Sequence, residues 1–225
     1  MEDFSSLLSR LYQKSQETAD NFIDLQEKDI RRKHLEILAS EILVGDFSLK
    51  INMHISTQHA QEFKNIFHSE EQLMENYAHF FIQNINENIF GTSIFQTELV
   101  FRYFYSKLNG VTPGKEKKIF KIFANLFDDT ENNWQKDECK LLVLIWTLRN
   151  TIHTGGIYLM KEEGCVLTYK GKEYKFEYGK APNFLKDGLA LELVFNLFDS
   201  IKMLFQSNKI KALGYFEHPS YLALK

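Results

Sequence analysis

Residues 133–156, NWQKDECKLLVLIWTLRNTIHTGG, decide the reading of the fold. Leu141, Leu142, Ile145, Trp146, Leu148 and Ile152 recur at three- and four-residue intervals, the period of an α-helix with an apolar side. Asn132 and Gln135 have the spacing of a capping box, and Gly155-Gly156 is a helix stop, so the stretch predicts a helix over 133–154. At about 100° per residue, Arg149 and His153 fall within the apolar arc, whereas Lys140, Thr147 and Thr151 fall on the opposite, polar side.

Downstream, the period changes. Residues 165–169 (CVLTY) and 174–178 (YKFEY), joined through Lys170-Gly171-Lys172, predict two short strands in a hairpin closed by Gly179 and Pro182. Residues 183–208 then predict a long helix, apolar nearly all round and therefore central.

Upstream, residues 4–43 read as helical, with Gly45-Asp46 as the break. Phe47, Leu49, Ile51, Met53 and Ile55 alternate, which suggests a half-buried strand or an extended connector over 47–56. The helical pattern returns over 57–90. Gly91-Thr92-Ser93 reads as a break before a helix over 94–108. Residues 109–114 form a loop in which Thr112 and Pro113 have N-cap and first-turn character for a helix over 115–127, and residues 128–131 form a polar turn. The expected fold is therefore all-α, a helical bundle carrying one small β-hairpin, in a single domain over residues 1–225.

Composition agrees with that class. The chain has 225 residues, 44% apolar and 25% charged, with 20 Phe, 10 Tyr and only 3 Pro. Aromatic abundance and proline scarcity suit long uninterrupted helices around a Phe-rich core, with aromatic surface left for a partner. A net charge of −3 provides no broad positive field, so any nucleic-acid contact has to be local. Two cysteines supply neither a disulfide framework nor a zinc ligand set. No apolar run approaches the roughly 18 residues of a membrane span, and the N-terminus does not read as a signal peptide. These features predict a soluble, cytoplasmic protein without membrane association.

The chemistry-bearing residues lie at the end of the central stretch. Arg149 offers a planar fork of donors to phosphate oxygens and can stabilise charge on a five-coordinate phosphorus. His153, one turn later, belongs to the residue type that moves protons near neutrality and can serve a ribose 2′-hydroxyl or a leaving 5′-oxygen. One His cannot be base and acid at once, whereas a two-fold dimer with these helices facing would bring two of each residue to one cleft.

The run Arg149-Asn150-Thr151-Ile152-His153-Thr154-Gly155-Gly156, at the end of an apolar helix and followed by a hairpin and another long helix, resembles the signature of the HEPN (higher eukaryotes and prokaryotes nucleotide-binding) superfamily. That resemblance implies a HEPN-like helical bundle with its core over roughly 94–208 and an N-terminal helical part over 1–93. It also implies a homodimer acting as a metal- and cofactor-independent endoribonuclease on RNA, as in toxin–antitoxin or defence systems, with an antitoxin or inhibitory protein as partner. Arg149 and His153 would be the catalytic pair, and Asn150 the polar second position that orients them or the phosphate. The family commonly places four to six residues between Arg and His; here three intervene, an i,i+4 spacing that keeps both on one helix face.

Other readings stand beside this one. Basic residues in a last helical turn before Gly-Gly are favoured by the helix dipole alone, which would fit a non-catalytic HEPN-like domain binding protein or nucleotide. Glu98 and Arg102, at i,i+4, are either a second layer behind the site or a solvated ion pair. His34, His54, His59, His68, His79 and His218 show no metal-ligating spacing. Residues 115–118 and 170–172 are short basic clusters able to touch phosphate or simply to be solvated. P-loop, dinucleotide-binding and α/β-hydrolase motifs are absent from the sequence.

Overall fold

The computed structural model describes residues 4–68, 70–116, 118–127, 136–184 and 188–218. In chain order these form α1 (Phe4–Asp20), α2 (Ile30–Gln58), α3 (Ala60–Ile66), α4 (Glu71–Asn109), α5 (Ile119–Leu126) and α6 (Asp137–His153). They continue with β1 (Cys165–Tyr169), β2 (Lys172–Phe176), α7 (Leu189–Gln206) and the short α8 (Asn208–Lys211). The architecture is helical with a two-stranded antiparallel hairpin.

The first helical run is two helices. Residues 21–29 turn the chain, and Asp29 caps α2 by accepting the backbone N–H of Arg31 at 2.9 Å while its carboxylate also takes the Arg31 guanidinium. Both side chains of this pair are buried, and each charge has its partner. The expected break at Gly45-Asp46 and the strand over 47–56 do not occur, because α2 runs unbroken to Gln58. Gly45 is instead a point of close approach: a Cβ there would meet Ile89 Cδ1 at 2.8 Å and Ile85 Cγ2 at 3.1 Å. The apolar alternation arose because this half of α2 is apolar on two sides. Leu49 points inward, whereas Phe47, Ile51, Met53 and Ile55 are exposed.

The break at Gly91 is also absent. α4 continues through it for 39 residues, and the position faces open space. Thr112 and Pro113 form a turn closed by the Lys115 N–H on the Thr112 carbonyl at 3.1 Å, and α5 begins at Ile119, four residues later than the sequence suggests. There Glu116 accepts the Lys118 N–H and pairs with Lys121, contacts that hold its carboxyl below the usual range. The capping-box residues Asn132 and Gln135 and the polar turn over 128–131 lie outside the described residues. The last long helix starts at Leu189, after Phe184 has set its ring edge-on against Tyr174 and Phe176.

The hairpin forms in the expected place. β2 starts two residues earlier than the sequence suggested, with Cys165 opposite Phe176 and Tyr169 opposite Lys172. Lys170 at φ 46° and Gly171 at φ 74° make the two-residue turn, the backbone twist that joins antiparallel strands most directly.

α6 and α7 occupy the centre. Leu141, Leu142, Leu144, Ile145, Trp146 and Leu148 of α6 are buried, and α4, α5, α7 and β1 pack around that helix. Aromatic rings join the layers: Trp146 meets Phe123 with centroids 4.7 Å apart, and Phe205 takes the edges of Phe22 and Phe104. Residues 216–218 strap the start of α2, where the Ile30 N–H donates to the Phe216 carbonyl at 3.1 Å and the His218 N–H to that of Lys28 at 3.0 Å.

Candidate functional site

The packing around α6 is tightest in its middle and loosens at both ends, and Arg149, Asn150 and His153 sit toward the C-terminal one. Gly155 and Gly156 adopt φ of 72° and 80°, which lets the Gly156 N–H reach the Thr151 carbonyl and the Gly155 N–H the Ile152 carbonyl, each at 3.0 Å. This pair of bonds is a Schellman stop, so the glycines of the motif end the helix. Thr154 adds to it by donating its hydroxyl to the Thr151 carbonyl at 2.9 Å.

His153 is exposed, and Arg149 and Asn150 are half-buried. Arg149 Nη1 donates to Asn150 Oδ1 at 3.1 Å, and Asn150 Nδ2 reaches Met160 Sδ at 3.8 Å. Among the described residues no carboxylate pairs with the guanidinium. At about 1.5 Å rise and 100° per residue, Arg149 and His153 stand roughly 6 Å apart along the axis on the same side of the helix.

The helical-wheel assignment of wet and dry faces is corrected. Thr147 and Thr151, expected on the polar side, are buried at 4% and 1% exposure, while His153, expected in the apolar arc, faces solvent. The Thr151 hydroxyl donates to the Thr147 carbonyl at 2.9 Å, so its polarity is satisfied within the helix. Neighbours enclose the middle of α6, and depth along the helix decides what water reaches. Arg149 consequently needs no buried counter-charge.

Glu98 and Arg102 form an ion pair at 2.7 Å, but Glu98 does more than face solvent. Its second carboxylate oxygen accepts Trp146 Nε1 at 3.1 Å, and Arg102 Nη1 donates to the Glu116 carbonyl. The pair therefore ties α4 to α6 one turn before Arg149 and to the approach to α5. The indole N–H of Trp146 was the sequence signal for this link, since a buried indole seeks an acceptor. Of the two basic clusters, Lys115 and Lys118 are exposed near the start of α5, and Lys170 donates to Asn196 Oδ1 at 2.7 Å.

Three exposed apolar residues beside the motif carried no role in the sequence reading. Ile157, Leu159 and Met160 follow the Schellman stop at 40%, 49% and 41% exposure, and Met160 reaches back to Asn150. A surface depression of about 450 Å³ beside the hairpin, lined in part by Glu162, Glu163, Cys165, Lys175 and Glu177, does not include the Arg–His pair. Among the described residues no three His, Cys, Asp or Glu side chains come together as a metal site, and no helix is long and apolar enough to cross a membrane. The two cysteines, Cys139 and Cys165, are not joined by a disulfide.

No protein-family model matches the chain, and comparison with curated proteins and with solved structures brings no match either. The class that these observations define is a helical bundle with a β-hairpin and a solvent-facing Arg–Asn–His cluster at the end of a central helix.

Proposed function

We propose that the chain is a homodimeric, metal-independent endoribonuclease of HEPN type. The observation that carries the reading is the state of the motif: Arg149 and His153 share the accessible end of α6, and the guanidinium is hydrogen-bonded only to Asn150 among the described residues. Residues kept for helix-end electrostatics alone would not need the Arg–Asn contact that orients the fork.

In the proposed reaction a ribose 2′-oxygen attacks the adjacent phosphorus while His153 takes its proton. Arg149, steered by Asn150, stabilises the charge on the five-coordinate phosphorus. His153 of a second copy donates a proton to the 5′-oxygen as its bond to phosphorus breaks, leaving a 2′,3′-cyclic phosphate and a 5′-hydroxyl. Exposed Ile157, Leu159 and Met160 provide apolar surface beside His153 for that second copy to cover. A toxin or defence role, with an antitoxin or inhibitory partner, follows from the same resemblance.

The Schellman stop favours a second reading, a non-catalytic HEPN-like domain that binds protein or nucleotide, because it accounts for Gly155-Gly156 without chemistry. The two separate when wild type and His153→Ala are incubated with mixed RNA in EDTA and product ends are mapped. Cleavage that leaves cyclic phosphates and vanishes in the variant supports the enzyme; equal inertness of both at micromolar protein overturns it.

A further inference from the structure

The C-terminal half of α2 carries apolar residues on the side turned away from the bundle. With Phe47 set at zero, Ile51 falls at about 40°, Val44 at about 60° and Ile55 at about 80°, while the buried Ile42, Gly45 and Leu49 lie near 160–220°. The outward residues form one continuous stripe at three- and four-residue spacing. Val44, Phe47, Ile51 and Ile55 are 61%, 62%, 42% and 44% exposed, and Leu43 adjoins them at 44%. On neighbouring α4 the exposed Leu73, Phe80 and Phe95 are widely spaced and interrupted by Gln83, Asn84, Glu87 and Asn88.

We infer that this stripe is an interface between two copies of the chain, paired antiparallel through α2 about a two-fold axis. Area supports this occupant. The five side chains leave on the order of 500 Å² of apolar surface, about two-thirds of the roughly 800 Å² per partner in a standard interface, which is the apolar share typical of homodimers.

The stripe is also nearly symmetric about a point between Leu49 and Lys50. Val44 and Ile55 are equidistant from it, so each faces the other across the axis, and Phe47 and Ile51 fill the centre. Lys50, nearest the axis, is paired with Asp46 on its own helix, so the two central lysines bring their counter-ions with them. α2 packs on α1, α3 and α4, whereas α6 packs on α4, α5, α7 and β1. This pairing is therefore separate from the one that would bring two His153 side chains together, and it does not rest on the ribonuclease reading.

The test is the mass in solution of wild type and of the double variant Phe47→Asp, Ile51→Asp, both residues being exposed in a single copy. The inference expects the variant to have half the wild-type mass at micromolar concentration, with an unchanged urea midpoint measured at a dilution that dissociates the pair. A monomeric wild type overturns it, and so does a wild-type dimer whose mass the substitutions leave intact. Register is tested by oxidation in a Cys165→Ser background. Val44→Cys mixed with Ile55→Cys should form a disulfide-linked dimer, whereas Val44→Cys alone should not, its two copies lying about 16 Å apart along the axes, beyond disulfide reach. Equal linkage in the mixture and in the single variant would overturn the antiparallel register.

Discussion

Lowering the pH from about 7.5 to about 5 should destabilise the protein through two buried histidines. His34 on α2 is fully buried, its Nε2 lies 3.5 Å from Thr97 Oγ1, and its ring meets Phe205 edge-on at 5.9 Å. Burial, with His218 nearby as a second cause, lowers its pKa to about 3. His218 is lowered to about 4, first by burial and then by Lys33. Both folded-state values lie below the ordinary 6.5, so the unfolded chain binds more protons as acid is added. The stabilising contribution is full above pH 6.5 and declines as pH falls toward the folded values. At about pH 5 each histidine accounts for roughly 2 kcal/mol and the pair for roughly 4 kcal/mol. With a urea slope of about 2–3 kcal/mol/M, the midpoint should fall by about 1.3–2 M. Carboxylates with lowered values, Glu116 and Glu177, act chiefly below the ordinary carboxylate range and leave this window to the histidines. His34→Gln should remove about half of the pH dependence, whatever its effect at neutral pH. Equal urea midpoints at the two pH values, or an unchanged pH slope in His34→Gln, would refute the reasoning.

The two mid-helix glycines should respond oppositely to substitution. Gly91→Ala, facing open space, should raise stability by about 0.5–1 kcal/mol through helix propensity, whereas Gly45→Leu should lower it by about 1–3 kcal/mol against Ile85 and Ile89. Thermal or urea melts of the two variants read the difference. Trp146→Phe removes the donor to Glu98 and leaves a partly buried carboxylate oxygen unmatched, an expected loss of about 1–2 kcal/mol by urea titration. Phe123 keeps its ring contact in that variant, so a larger loss would mean that the indole packs more than it bonds.

Helical class and hairpin were legible because their signals are local. The period through Leu141–Leu148 and the Lys170-Gly171 turn between apolar runs require no knowledge of neighbours. Boundaries that depend on tertiary packing were not legible. Gly45 and Gly91 read as breaks, yet one admits Ile89 and the other is simply carried along by a helix packed on both sides of it. The alternation over 47–56 imitated a strand because α2 has an inner and an outer apolar face. Arg149 and His153 were singled out from residue type and spacing, and Asn150 from the family resemblance; their exposure was not legible, since a wheel locates an angle and says nothing about depth along a buried helix. The Glu98–Trp146 bond required two helices to be seen together.

The central claim is that Arg149 and His153 act on RNA, and single-turnover cleavage of one RNA in EDTA by wild type, Arg149→Ala and His153→Ala tests it most directly. Urea midpoints close to wild type would establish that both variants fold, as expected for one half-buried and one exposed side chain. The account predicts a loss of about 100-fold or more in each variant, the scale of a removed acid–base group or a removed charge stabiliser. Wild-type protein that cleaves at the same rate as either variant, or that cleaves RNA without forming cyclic phosphate ends, would contradict it.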